Sequence, residues 1–87
     1  MKVTETPIKD LLIIEPQIFE DKRGFFFESY SYAKLEKHGI TIKFIQDNHS
    51  KSNKNTIRGL HYQINGTTQT KLVRCIAGEI LDVAVDL

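Results

Sequence analysis

Apolar and polar positions alternate in short runs along most of this chain and do not recur at helical spacing, so the pattern predicts a mainly β protein. Residues 8–19 are rich in Ile and Leu, and Pro16 inside that run marks an edge strand or a break. Asp21-Lys22-Arg23-Gly24 has turn chemistry, and Phe25-Phe26-Phe27-Glu28-Ser29-Tyr30 reads as an aromatic strand. One helix is predicted over residues 31–38: Ser31 caps it, Ala33, Lys34, Leu35, Glu36 and Lys37 propagate it, and Gly39 ends it. Residues 43–48, 56–63, 71–77 and 79–87 carry strand character, and polar stretches at 48–55 and 65–70 separate them. The tally is about six strands and one short helix, with a turn roughly every 8–12 residues, which predicts a sandwich or barrel and not βαβ units. The last strand pattern, Ile80-Leu81-Asp82-Val83-Ala84-Val85-Asp86-Leu87, stops at the terminus with no turn to close it. A strand with both edges open needs partners, so the expectation is a chain that ends before its sheet is complete.

Composition narrows the class. The 87 residues make one domain at most, and 40% apolar with 26% charged residues excludes a disordered charged tail, a collagen-like repeat and a coiled coil. Twelve Lys and Arg against 11 Asp and Glu leave a net charge of +1, too little for nucleic-acid binding driven by bulk charge. The longest aliphatic run, Leu11-Leu12-Ile13-Ile14, is far short of the roughly 20 residues of a membrane helix. The first residues, Met1-Lys2-Val3-Thr4-Glu5-Thr6, lack the apolar stretch and cleavage site of a signal peptide. Cys75 is the one cysteine and has no partner for an intrachain disulfide, so the expected compartment is the cytoplasm. A domain of this size buries only about 60–65% of its unfolded surface. It therefore packs tightly alone, oligomerises, or belongs to something larger.

Polar residues in strand-like context concentrate between positions 46 and 71. Gln46, Asn48 and Ser50 are spaced by two, which puts them on one face of an extended backbone, either lining a ligand site or facing water ahead of a loop. Arg58 and His61 fall on opposite faces of a regular strand unless Gly59 permits a bulge. An arginine fork suits phosphate or carboxylate, and a histidine suits proton transfer near neutral pH. The alternative is a hydrogen-bonded core histidine beside a solvated arginine. Lys71 heads a strand whose alternate positions, Val73, Cys75 and Ala77, are small and apolar. There it is either a partly desolvated cation for a developing oxyanion or a lysine in water at a strand mouth. Arg23 is an anion clamp or a charged turn residue. Glu28 alternates with Phe26, a pairing that holds a ring against a polar acceptor, while the run Phe25-Phe26-Phe27 also fits a core. His38 suits the C-terminal end of a helix dipole, and His49 lies in a polar loop. The histidine spacings of 11 and 12 residues and the lone Cys75 match no metal-ligand pattern. Burial of Cys75 in an apolar strand would raise its pKa and make it a poor nucleophile.

Four stretches carry a resemblance. They are Phe19-Glu20-Asp21-Lys22-Arg23-Gly24-Phe25-Phe26-Phe27-Glu28-Ser29, Phe44-Ile45-Gln46-Asp47-Asn48-His49-Ser50-Lys51-Ser52 and Arg58-Gly59-Leu60-His61-Tyr62-Gln63. The last is Lys71-Leu72-Val73-Arg74-Cys75, followed by Gly78-Glu79 and Asp82-Val83-Ala84-Val85-Asp86. In order and spacing they resemble the dTDP-4-dehydrorhamnose 3,5-epimerases. The resemblance implies a cupin-like jelly roll, incomplete at the C-terminus, with residues 1–87 forming the N-terminal part of a single domain. It implies a homodimer that works without a metal or other cofactor. The implied reaction converts dTDP-4-dehydro-6-deoxy-D-glucose to dTDP-4-dehydro-L-rhamnose by proton removal and return at C3 and C5. Carried onto this chain, His61 is the base and Lys71 stabilises the enolate at the sugar's C4 oxygen. Arg23 and Arg58 hold the anionic part of the dTDP-sugar. Gln46 and Asn48, with Asp47 between them, contact substrate, and Phe26 and Glu28 help bind the nucleotide across the dimer. The family's proton-donating tyrosine and the acid that orients its histidine lie further along; Tyr30, Tyr32 and Tyr62 do not match the donor's place. A homologue that binds nucleotide sugar without turnover, a monoepimerase, and an inactive truncated remnant are the other readings.

Overall fold

A computed structural model describes all residues, 1–87. Its first strands form where branched and aliphatic residues alternate with charges: β1 (Lys2–Glu5) and β2 (Leu12–Glu15) pair antiparallel, Val3 opposite Ile14 and Glu5 opposite Leu12. Cross-strand partners share a face, so Val3, Leu12 and Ile14 are the half-buried side of this hairpin. Lys2 and Glu15 also stand opposite each other, 3.9 Å apart, an exposed pair of little energetic weight. The connection is tied by Thr6, whose hydroxyl accepts from the Ile8 N–H at 3.2 Å and lies 2.8 Å from the Leu11 carbonyl, its acceptor.

Pro16 breaks the aliphatic run as expected, because it has no N–H to continue a ladder. The chain resumes in a second hairpin of β3 (Ile18–Asp21) and β4 (Gly24–Phe27), closed by the Asp21–Gly24 pair around Lys22 and Arg23. The register sets Phe19 opposite Phe26 on one face and Ile18 and Glu20 opposite Phe27 and Phe25 on the other. Phe25 and Phe27 stack on their shared face with ring centroids 6.0 Å apart.

The single helix, α1 (Tyr32–Glu36), begins as predicted. Ser31 is extended, and its Oγ accepts from the Lys34 N–H at 3.3 Å. The regular helix is shorter than the predicted 31–38 because its last turn passes into a Schellman motif. The Gly39 N–H donates to the Glu36 carbonyl and the Ile40 N–H to the Leu35 carbonyl, both at 3.0 Å, with Gly39 at φ +80°. Leu35, 2% exposed, is the one buried side chain.

The chain divides into two compact units, Met1–Lys43 with Ala84–Leu87, and Phe44–Val83. The second contains neither strand nor helix, so the strands expected at 43–48, 56–63, 71–77 and 79–87 are not formed. Alternation of side chains specifies which face a strand would bury, but its regular hydrogen bonds come from a neighbouring strand, and none pairs with these segments. The turns between them do form, because their bonds are local. Thr56 N–H donates to the Asn53 carbonyl and Thr67 N–H to the Ile64 carbonyl, each at 3.2 Å. Asn65 and Gly66 both have positive φ, as a type I′ turn requires.

Candidate functional site

Within the first unit, the hairpin β3–β4 gathers Arg23 and Phe26. Phe26 and its cross-strand partner Phe19 lie on the same side as Asp21, and with Arg23 these residues line one open depression. Phe25 and Phe26 are 70% and 69% exposed, so these two rings are open for contact and do not form a core, whereas Phe27 is half-buried. Arg23 is held from two residues away. Asp21 Oδ1 accepts from the Arg23 backbone N–H at 2.8 Å and from Nε at 3.3 Å, while Oδ2 accepts from Nε at 3.1 Å and Nη2 at 2.5 Å. The guanidinium holds the Asp21 carboxyl below the usual aspartate range, and the carboxylate raises the arginine in turn. Glu28, just past β4, forms an ion pair with Lys34 at 2.9 Å.

The second unit holds the other sequence-predicted residues, all exposed. Gln46 Nε2 donates to Asn48 Oδ1 at 3.2 Å, so the two amides meet on one side although no strand forms; Asp47 lies between them in the chain. Arg58 is not simply solvated: its Nε donates to Ser52 Oγ at 2.9 Å and its Nη2 to the Lys51 carbonyl at 3.1 Å. These bonds fold the 51–58 loop around the guanidinium and fix the direction of its fork. His61 stands next to a backbone that only glycine accommodates. Gly59 has φ +112°, and a Cβ there would lie 3.4 Å from the His61 Nδ1. Neither His61 nor Lys71 makes a hydrogen bond or ion pair within the chain. Cys75 is exposed, not buried in an apolar strand as expected, and its Sγ donates to the Ala77 carbonyl at 3.2 Å.

Sequence reasoning missed three supporting residues. Asp21 reads as a turn residue in the sequence, although an acid two positions before an arginine across a tight turn is a readable signal. Ser52 as a partner for Arg58 and Phe19 as the ring opposite Phe26 depend on loop closure and register, and no local pattern displays either.

The first unit thus offers an arginine whose fork is fixed by a neighbouring carboxylate, beside exposed rings. The second unit, taken by itself, offers an arginine held by neighbouring oxygens, paired amides and an exposed imidazole. Each arginine fork suits a phosphate or carboxylate. Residues 5–87 match the family model described as dTDP-4-dehydrorhamnose 3,5-epimerase, and the chain belongs to that family. Among relatives bearing that description, the Salmonella typhimurium protein is 56% identical over 88 residues, covering 100% of this chain and 48% of the relative. The Pseudomonas aeruginosa protein is 52% identical, with 100% of this chain and 48% of the relative covered. The Mycobacterium tuberculosis protein is 33% identical, covering 100% of this chain and 44% of the relative. The chain thus spans about half the length of the curated relatives it matches. No solved structure matches it. No helix is long and apolar enough to cross a membrane.

Proposed function

We propose that this chain is the N-terminal part of a cupin-like jelly-roll domain whose whole protein is a dTDP-4-dehydrorhamnose 3,5-epimerase, working as a homodimer on a dTDP-sugar. The observation that carries this is the family match over residues 5–87, which takes in all nine candidate residues. The substrate's C4 ketone acidifies the hydrogens on both neighbouring carbons, C3 and C5. His61 takes a proton from each in turn. The electron pair moves onto the C4 oxygen, where the Lys71 ammonium stabilises the enolate. Return of a proton to the opposite face completes each inversion, from a donor not assigned to this chain. Arg23 and Arg58 bind the diphosphate, the exposed ring of Phe26 packs on the base with Glu28 at the nucleoside, and Gln46, Asp47 and Asn48 contact the sugar side. The chemistry is acid–base throughout and calls on no cofactor.

The test is solvent exchange. In deuterium oxide the whole protein, of which this chain is the N-terminal part, incorporates deuterium at C3 and C5 of dTDP-4-dehydro-6-deoxy-D-glucose, and His61→Asn abolishes it. Normal exchange in that variant removes His61 as the base, and no exchange in the parent refutes the enzyme reading. Saturable dTDP binding with no exchange would instead establish nucleotide-sugar binding without turnover.

A further inference from the structure

Among the charged groups of the epimerase motif stretch around Arg23 that the proposed chemistry leaves unused, the Asp21 carboxylate is the one bonded to Arg23. Its geometry is that of a holder. Both oxygens are engaged by the same residue, one spanning the Arg23 backbone N–H and Nε, the other Nε and Nη2. The two residues flank Lys22 in the β3–β4 turn, so the carboxylate stands at the end of a paired strand while the guanidinium hangs from the loop. An arginine on an exposed turn otherwise samples many rotamers, and the ligand that orders it pays that entropy. Clamping the Nε–Nη2 edge leaves Nη1 and the outer side of Nη2 as donors, beside the Phe19–Phe26 face of the same hairpin. The carboxylate also offsets the guanidinium charge. An anion that merely needs a positive point gains less there than one that engages the remaining donors in their fixed directions.

We propose that Asp21 is a positioning residue for Arg23, pre-ordering its free edge for the diphosphate of a nucleotide whose base packs on the aromatic face of the hairpin. This rests on the reading of Arg23 as a substrate contact. The test is made in the whole protein, with dTDP titrated calorimetrically and KM and kcat measured for Asp21→Ala, Asp21→Asn, Arg23→Ala and the Asp21→Ala/Arg23→Ala double variant. Asp21→Ala weakens dTDP binding and raises KM about fivefold, the scale of ordering one long side chain, with kcat unchanged. Asp21→Asn keeps an oxygen acceptor for the Arg23 N–H and Nε and restores affinity to within about twofold of the parent. In the Arg23→Ala background the loss of Asp21 has no further effect, because the two act as one unit. Unchanged or tighter dTDP binding in Asp21→Ala overturns the inference. A parallel fall in kcat and thermal stability with no rescue by Asn does so too, since that is a folding role for the turn. If Arg23→Ala itself leaves dTDP binding intact, the reading of Arg23 fails first, and the two failures are thereby told apart.

Discussion

Replacing Gly39 by alanine tests the helix terminus, and the sign of the effect is diagnostic. Gly39 sits at φ +80°, and a Cβ built there meets no atom within 4 Å. Steric clash with the rest of the molecule therefore contributes nothing, and the cost is that of holding an L-residue in the left-handed region, about 1–2 kcal/mol. The two Schellman bonds, from Gly39 N–H to Glu36 and from Ile40 N–H to Leu35, require that torsion, so the chain cannot relax it without giving them up. With a urea dependence of about 1–3 kcal/mol/M for a small protein, the midpoint falls by roughly 0.3–2 M. The assay is urea unfolding followed by far-ultraviolet circular dichroism, with Gly39→Asn alongside, which tolerates the left-handed region and loses less. Where glycine has negative φ, the same alanine substitution stabilises by about 0.4–1 kcal/mol through the unfolded chain. A rise in midpoint would therefore refute the cap as described.

Two further outcomes follow from the same unit. Leu35→Ala, which empties the one buried position, destabilises by about 2–5 kcal/mol in the same urea assay, and a change within 0.5 kcal/mol would place the core elsewhere. Arg23 lowers the Asp21 pKa below its unfolded value, so the pair's contribution is fully present above the unfolded pKa and is lost as pH falls through the folded one. A carbon-13 carboxyl titration by NMR should find a depressed Asp21 midpoint that Arg23→Ala returns toward the ordinary value; an unmoved midpoint would mean that the ion pair does not persist in solution.

Elements legible from the chain alone were those whose bonds close within a few residues. Ser31 as cap and Gly39 as stop, the Asp21–Gly24 turn, the break at Pro16 and the turns at 53–56 and 64–67 each depend on torsional preference or on an acceptor two to five positions away. The order of motifs from Phe19 to Asp86 likewise belonged to the sequence, and it identified the family before any geometry. Tertiary structure decided the rest. Alternation in 43–87 marks faces but supplies no partner strand, so it predicted ladders that a lone segment cannot make. Register alone put Phe26 beside Phe19 and Asp21 and turned Phe25 and Phe27 to the other side, since a slip of one residue reverses every side chain. The local turn that presents Arg23 also brings it onto the Asp21 carboxylate, and the 51–58 loop brings Arg58 onto Ser52. Charge patterning names the cations, but only the folded path of the backbone fixes which oxygen each guanidinium meets, and therefore which of its donors remain for a ligand.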